Sequence, residues 1–217
     1  MEEDAKKPDH KIQFKDLLPQ KNYLFTPILI YANVLVFTLM ILFGLDLSNP
    51  RVLVQWGGNI RHLTINGEAW RLFTSVFLHG GILHLLFNML SLLYIGSLLE
   101  KIIGKNQFIF AYLFSGITAS VSSLMMNENV VSVGASGAIF GLFGVLLPLI
   151  KVKELNFPNI SLERLLLYNS LFILDSIFNG FIKSGIDNAA HIGGLFAGII
   201  IGFFYRMIAK KKYAQQL

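Results

Sequence analysis

Few groups in this chain of 217 residues can do nucleophilic chemistry: it has five histidines and no cysteine, which leaves the hydroxyls as candidate nucleophiles. One serine stands apart. Gly134-Ala135-Ser136-Gly137 sits where the polar run Asn127-Glu128-Asn129 gives way to the apolar stretch 138–150. Ser136 then falls in the first turn of a helix, where backbone N–H groups lack intrahelical acceptors and can stabilise an oxyanion developing beside a serine nucleophile. The same small residues, with Gly141 and Gly144, also suit the close approach of two membrane helices. Taken alone the motif fits packing, so the case for a nucleophile rests on what the rest of the chain supplies.

It supplies three histidines and an asparagine. His84 and Asn88 are four apart in an apolar run and project from one helix face, with His79 just before them in His79-Gly80-Gly81. A single histidine or asparagine in such a run is usually interhelical glue, but two on one face beside a third polar group point to a site. His191 follows Ala190 and precedes Gly194, Gly198 and Gly202, a stripe that lets another helix come close. Its imidazole is a candidate general base for Ser136. Two acids stay open. Asp175 is functional by default as an acid deep in an apolar run, or is a hydrogen-bonded structural residue. Asp187, one turn before His191, either orients the base or caps the helix.

The elements that position these groups are membrane helices. With 54% hydrophobic and 14% charged residues and a mean hydropathy of +0.60, the chain is an all-α, polytopic integral membrane protein. Six apolar windows of spanning length run over 24–45, 82–99, 108–126, 135–150, 162–182 and 189–208. They define a membrane domain at 23–208, with a polar tail at 1–22 and a basic tail at 209–217. The absence of cysteine excludes disulfides, thiolate catalysis and cysteine metal sites. A net charge of +5 does not indicate nucleic acid, because the basic residues flank the spans. Lys6, Lys7, Lys11, Lys15 and Lys21, then Lys101 and Lys105, Lys151, Lys153 and Arg164, and Arg206 with Lys210 to Lys212 fall on one side, which places both termini in the cytoplasm. The first apolar run reads as a retained helix rather than a cleaved leader. Between it and the second lies the connection 46–75, whose Trp56 and Trp70 suit a segment lying in the membrane interface. Hydroxyls in span three (Ser115, Thr118, Ser120, Ser122 and Ser123) read as packing residues bonded to their own helix.

With this topology His79, His84, Ser136 and His191 all lie towards the outer leaflet. The glycine faces of spans four and six then bring Ser136 and His191 within reach of each other. The ordered set Trp70-Arg71, His79, His84 with Asn88, Gly134-Ala135-Ser136-Gly137, and Ala190-His191 with Gly194 resembles the rhomboid intramembrane serine proteases across all six spans. The resemblance implies a six-helix bundle, Ser136 as nucleophile and His191 as general base in a dyad. It also implies oxyanion stabilisation by His84, Asn88 and the backbone N–H groups of Ala135 and Ser136. His79, Trp70, Arg71, Gly134, Gly137, Gly194 and Gly198 would support the site or the fold. It further implies cleavage of transmembrane protein substrates at or near small residues, in a bacterial plasma membrane, with no cofactor, no metal and no nucleic acid partner. Where some members carry a tyrosine four residues after the serine, this chain has Phe140.

Rival chemistries leave no trace. No His-Glu-x-x-His run for a zinc protease exists. Asp175 has no second acid deep in another span with which to share a proton, and no internal repeat suggests a transporter. The remaining alternative is a non-catalytic relative that binds or chaperones membrane helices, which would ordinarily have lost Ser136 or His191.

Overall fold

The computed structural model describes residues 13–150, 152, 155 and 187–214. The fifth apolar window, with Asn169, Asp175 and Asn179, lies outside the described residues, as do Lys151, Lys153, Arg164 and Lys183. Among the described residues there are eight α-helices and no strand: α1 Phe25–Leu42, α2 Pro50–Gln55, α3 Arg61–Thr64, α4 Arg71–Thr74, α5 Ile82–Ile103, α6 Lys105–Met126, α7 Ser136–Leu149 and α8 Asn188–Ala214. Helices α1, α5, α6 and most of α8 are long and apolar enough to cross a membrane, and α7 is a shorter apolar helix. The chain is thus an all-helical, polytopic integral membrane protein.

Helix α7 is the axis of the bundle. It is apolar on every side, which suits only a buried helix, and all its residues from Gly137 to Leu146 are buried. It packs against α8 on one side and α6 on another, with α5 also touching it and α1 standing against α5. Glycines set the closeness of the first two contacts. A Cβ added to Gly194 would lie 2.0 Å from the Gly137 carbonyl oxygen, and one on Gly198 would lie 1.9 Å from that of Gly141. Gly202 meets the Val145 carbonyl and Gly144 the Leu195 carbonyl in the same way. These contacts are backbone against backbone. On the α6 side, Gly137 and Gly141 face Ala119 and Ser115.

Several polar groups fix the remaining pieces. Glu100, fully buried near the end of α5, accepts hydrogen bonds from the backbone N–H groups of Leu24, Phe25 and Thr26 and from the Thr26 hydroxyl, at 2.7–2.8 Å. A buried carboxylate is tolerable only when hydrogen-bonded, and the start of α1 has no side-chain cap of its own, so each supplies what the other lacks. The connection 46–75 is folded into α2, α3 and α4 around Arg71. That guanidinium is buried, pairs with Glu68 at 2.6 Å, and donates to the carbonyls of Val54 and Gly58. It also lies over the Trp70 ring, which is itself half exposed.

Candidate active site

Residue types around Ser136 dictate its setting. Gly134 has φ of +118°, in the left-handed region, and a Cβ there would lie 2.8 Å from the His84 ring. Glycine is therefore required twice, for the turn and for the room that His84 occupies. Helix α7 starts at Ser136 with no side chain capping it. The first-turn N–H groups of Ser136 and its neighbours accordingly point out of the helix beside the serine hydroxyl.

His191 stands in the first turn of α8, facing Ser136 across the glycine contact. Its Nε2 is 2.8 Å from Ser136 Oγ. The imidazole lies flat on the Phe140 ring, with centroids 4.3 Å apart and planes inclined by 9°. Phe140 is one helical turn beyond Ser136, so one helix presents both the hydroxyl and the surface that fixes its partner's plane. With its proton on Nδ1, the imidazole accepts from the serine O–H. Nδ1 itself has no protein partner among the described residues.

Asp187 makes no hydrogen bond to the His191 ring, and its Oδ2 has no partner among the described residues. Its Oδ1 accepts the backbone N–H of Ala190 at 3.1 Å and the Asn127 amide at 3.0 Å, while its carbonyl accepts the His191 N–H at 3.2 Å. Of the two readings left open by the sequence, the cap is the one these bonds describe. Asp187→Asn keeps a cap acceptor and should retain activity within about tenfold, whereas a neutralised orienting acid would lower turnover about 10,000-fold. Asp187→Ala should lower stability by about 1 kcal/mol. Thermal unfolding and turnover measured on both variants check this.

The remaining polar groups converge from α5 and from the loop just before it. His79 is fully buried, outside the spans, and meets the His84 ring edge-on at 5.0 Å. Burial, with a smaller contribution from His84, pushes the His79 imidazole down to about 3, so it is neutral. Its Nε2 accepts the Ala135 N–H at 3.5 Å, a long bond. Of the backbone donors named from sequence, Ala135 thus points at His79 and Ser136 remains. The Asn88 amide donates to the His84 carbonyl at 2.8 Å, which occupies one of its two N–H groups.

Sequence reasoning passed over Asn59. It is fully buried and exchanges backbone hydrogen bonds with Ser132 at 3.1 and 2.9 Å. Its side chain donates to the Ser120 carbonyl and accepts from Thr64, each at 2.9 Å. The Ser75 carbonyl holds the Gly134 N–H at 2.9 Å, and the hydroxyls of Ser75 and Ser120 meet at 3.4 Å. The segment leading to Ser136 is thereby tied to the connection 46–75 and to α6. Ser120 joins elements, unlike Thr118 and Ser122, which bond their own helix. Nothing but the polarity of Asn59 beside Gly57-Gly58 could have signalled this. Among the described residues no three His, Asp or Glu side chains cluster as metal ligands.

The rhomboid domain family matches residues 66–208, which takes in His79, His84, Asn88, Ser136, Phe140, Asp187 and His191 but not Asn59 or Thr64. The chain is similar to the rhomboid protease GluP of Bacillus subtilis, 38% identical over 174 residues, covering 80% of this chain and 33% of the relative. RHOMBOID-like protein 4 of Arabidopsis thaliana is 36% identical over 148 residues, covering 68% of this chain and 36% of that one. The rhomboid protease AarA of Providencia stuartii is 34% identical over 206 residues, covering 84% of this chain and 73% of the relative. This chain thus spans about a third of the first two relatives and nearly three quarters of the third.

Proposed function

The chain belongs to the rhomboid family, and from that premise we propose that it is an intramembrane serine endopeptidase acting on transmembrane segments of other membrane proteins. The observation that carries the reading is the 2.8 Å approach of His191 Nε2 to Ser136 Oγ, with the ring stacked on Phe140. Ser136 Oγ attacks the scissile carbonyl while His191 takes its proton. The oxyanion is met by the Ser136 N–H, the second N–H of Asn88 and the His84 ring; Ala135 contributes only by leaving His79. His191 then passes the proton to the departing amine, and a water activated by the same imidazole releases the acyl group. A dyad suffices for this sequence, with stacking on Phe140 orienting the base where a third residue would otherwise be needed. No cofactor, metal or nucleic acid has a part in it. Trp70 and Arg71 hold the connection 46–75 in its own fold, and Gly134, Gly137, Gly194 and Gly198 hold the dyad's spacing. By family likeness the membrane is a bacterial plasma membrane, with the dyad towards the outer side.

The test is proteolysis in liposomes of single-span substrates carrying small residues in or near the span. Cleavage there, lost in Ser136→Ala, supports the reading. Saturable binding of the same substrates without cleavage would replace it with a non-catalytic binder of membrane helices. Asn88→Ala is expected to lower turnover about 100- to 1,000-fold, the usual effect of one oxyanion donor, yet leave activity above that of Ser136→Ala. Equal loss in both, with unfolding midpoints unchanged, would remove Asn88 from the donor role.

A further inference from the structure

At the other end of α5 from His84, roughly 28 Å along the helix, the structure has a cavity of about 430 Å³ lined by Lys21, Asn22, Lys101 to Lys105, Asn106 and Gln107. It lies where three apolar spans stop: just before α1, after α5 and at the start of α6. That is the level of lipid phosphates. Three lysines converge on it. Lys101 is held in place, with its ammonium 2.7 Å from Asp16 and 4.6 Å from the centre of the Tyr23 ring. Lys21 and Lys105 are exposed and form no ion pair among the described residues. Among the described residues the acids nearby are already engaged, Asp16 by Lys101 and Glu100 by the start of α1. Between α5 and α6 the chain turns at Gly104, with φ of +86°, and this glycine gives α6 no side-chain cap. The wall of the cavity at 105–107 is therefore the uncapped first turn of a helix, which adds backbone donors and a partial positive charge to the lysines.

We propose that this cavity binds a phosphate group, as presented by the headgroup of an anionic phospholipid. Amide side chains at Asn22, Asn106 and Gln107 complete the polar lining of a pocket open to the headgroup region. Basic pockets between spans at this level suit such ligands. The site is separate from the proposed proteolytic centre and independent of it.

The full chain in a neutral detergent, titrated with dioleoylphosphatidylglycerol or dioleoylphosphatidylcholine and read by native mass spectrometry, tests the proposal. Phosphatidylglycerol should bind in preference. Lys21→Gln and Lys105→Gln should each weaken it roughly 5-fold, and the pair roughly 30-fold, given the usual contribution of a basic side chain at an anionic surface. The control pair Lys210→Gln and Lys211→Gln, at the end of another span, should leave it unchanged. Lys105→Glu gives a second, stronger perturbation at an exposed position, with the unfolding midpoint measured alongside. Excess inorganic phosphate distinguishes the sources. Displacement of the lipid would show that the phosphate group suffices, and failure to displace it that the lipid's glycerol or chains are also needed. Equal binding of both lipids, or equal loss in the control pair, overturns the proposal.

Discussion

Fluorophosphonate labelling of the solubilised protein is expected at Ser136, absent in Ser136→Ala, and at background in His191→Ala. The probe reacts with a serine hydroxyl whose proton has somewhere to go, and His191 Nε2, 2.8 Å away, is that acceptor. Loss of either partner of such a unit lowers turnover on the order of 10,000-fold or more, and loss of both together does little further. The two substitutions differ structurally. Ser136→Ala removes one oxygen from a half-buried position and should unfold at the native midpoint. His191→Ala empties the space beside Phe140 and should unfold earlier. His191→Phe separates chemistry from packing, since it keeps an aromatic face on Phe140 and has no nitrogen. Labelling in that variant would mean that Ser136 is not activated by His191.

Gly198→Leu should abolish cleavage by a different route. The first added carbon would fall 1.9 Å from the Gly141 carbonyl oxygen and 2.8 Å from its Cα, and neither can turn aside as a flexible side chain could. Helices α7 and α8 would have to separate, carrying Ser136 and His191 apart. A misplacement of about 1 Å costs catalysis about 100-fold, and overpacking of this kind destabilises by about 1–3 kcal/mol or more. Even Gly198→Ala meets the same carbonyl, so it should show most of the effect. Turnover and thermal unfolding measured together check this, and a fully active Gly198→Leu would contradict the contact itself.

The helical, membrane-embedded class was legible because the apolar runs are long and the charges cluster between them. Helix ends were less so. The windows 82–99 and 108–126 stop at Glu100, Lys101 and Lys105, yet the structure continues α5 to Ile103 and starts α6 at Lys105, with Gly104 alone between them. Charge ends a hydrophobic window without ending a helix; it takes the positive φ of Gly104 to do that. Helix α8 likewise runs on through Lys210 to Ala214. At the site, the glycine stripes and the i, i+4 pair of His84 and Asn88 carried spatial information because helical periodicity does. Phe140 was singled out as the position of a family tyrosine, and the structure adds that its place one turn beyond Ser136 lays its ring flat on His191. The bond from Ala135 to His79 and the Asn59 knot were out of reach. Both join irregular backbone to distant segments, and no periodicity reports such pairings.

The Glu100 clamp also bears on how the protein meets membranes of different thickness. Helix α1 has 18 residues, about 27 Å of rise against a hydrocarbon core of about 30 Å, and much of its surface is exposed. A free helix could gain length by winding the residues ahead of it into another turn. Here the N–H groups of Leu24, Phe25 and Thr26 are held by a carboxylate belonging to α5, and winding further would require that buried charge to give up its donors. The start of α1 is in effect riveted to its neighbour. Mismatch must then be taken up by the lipid, as local thinning, or by tilt of α1 and α5 as one body.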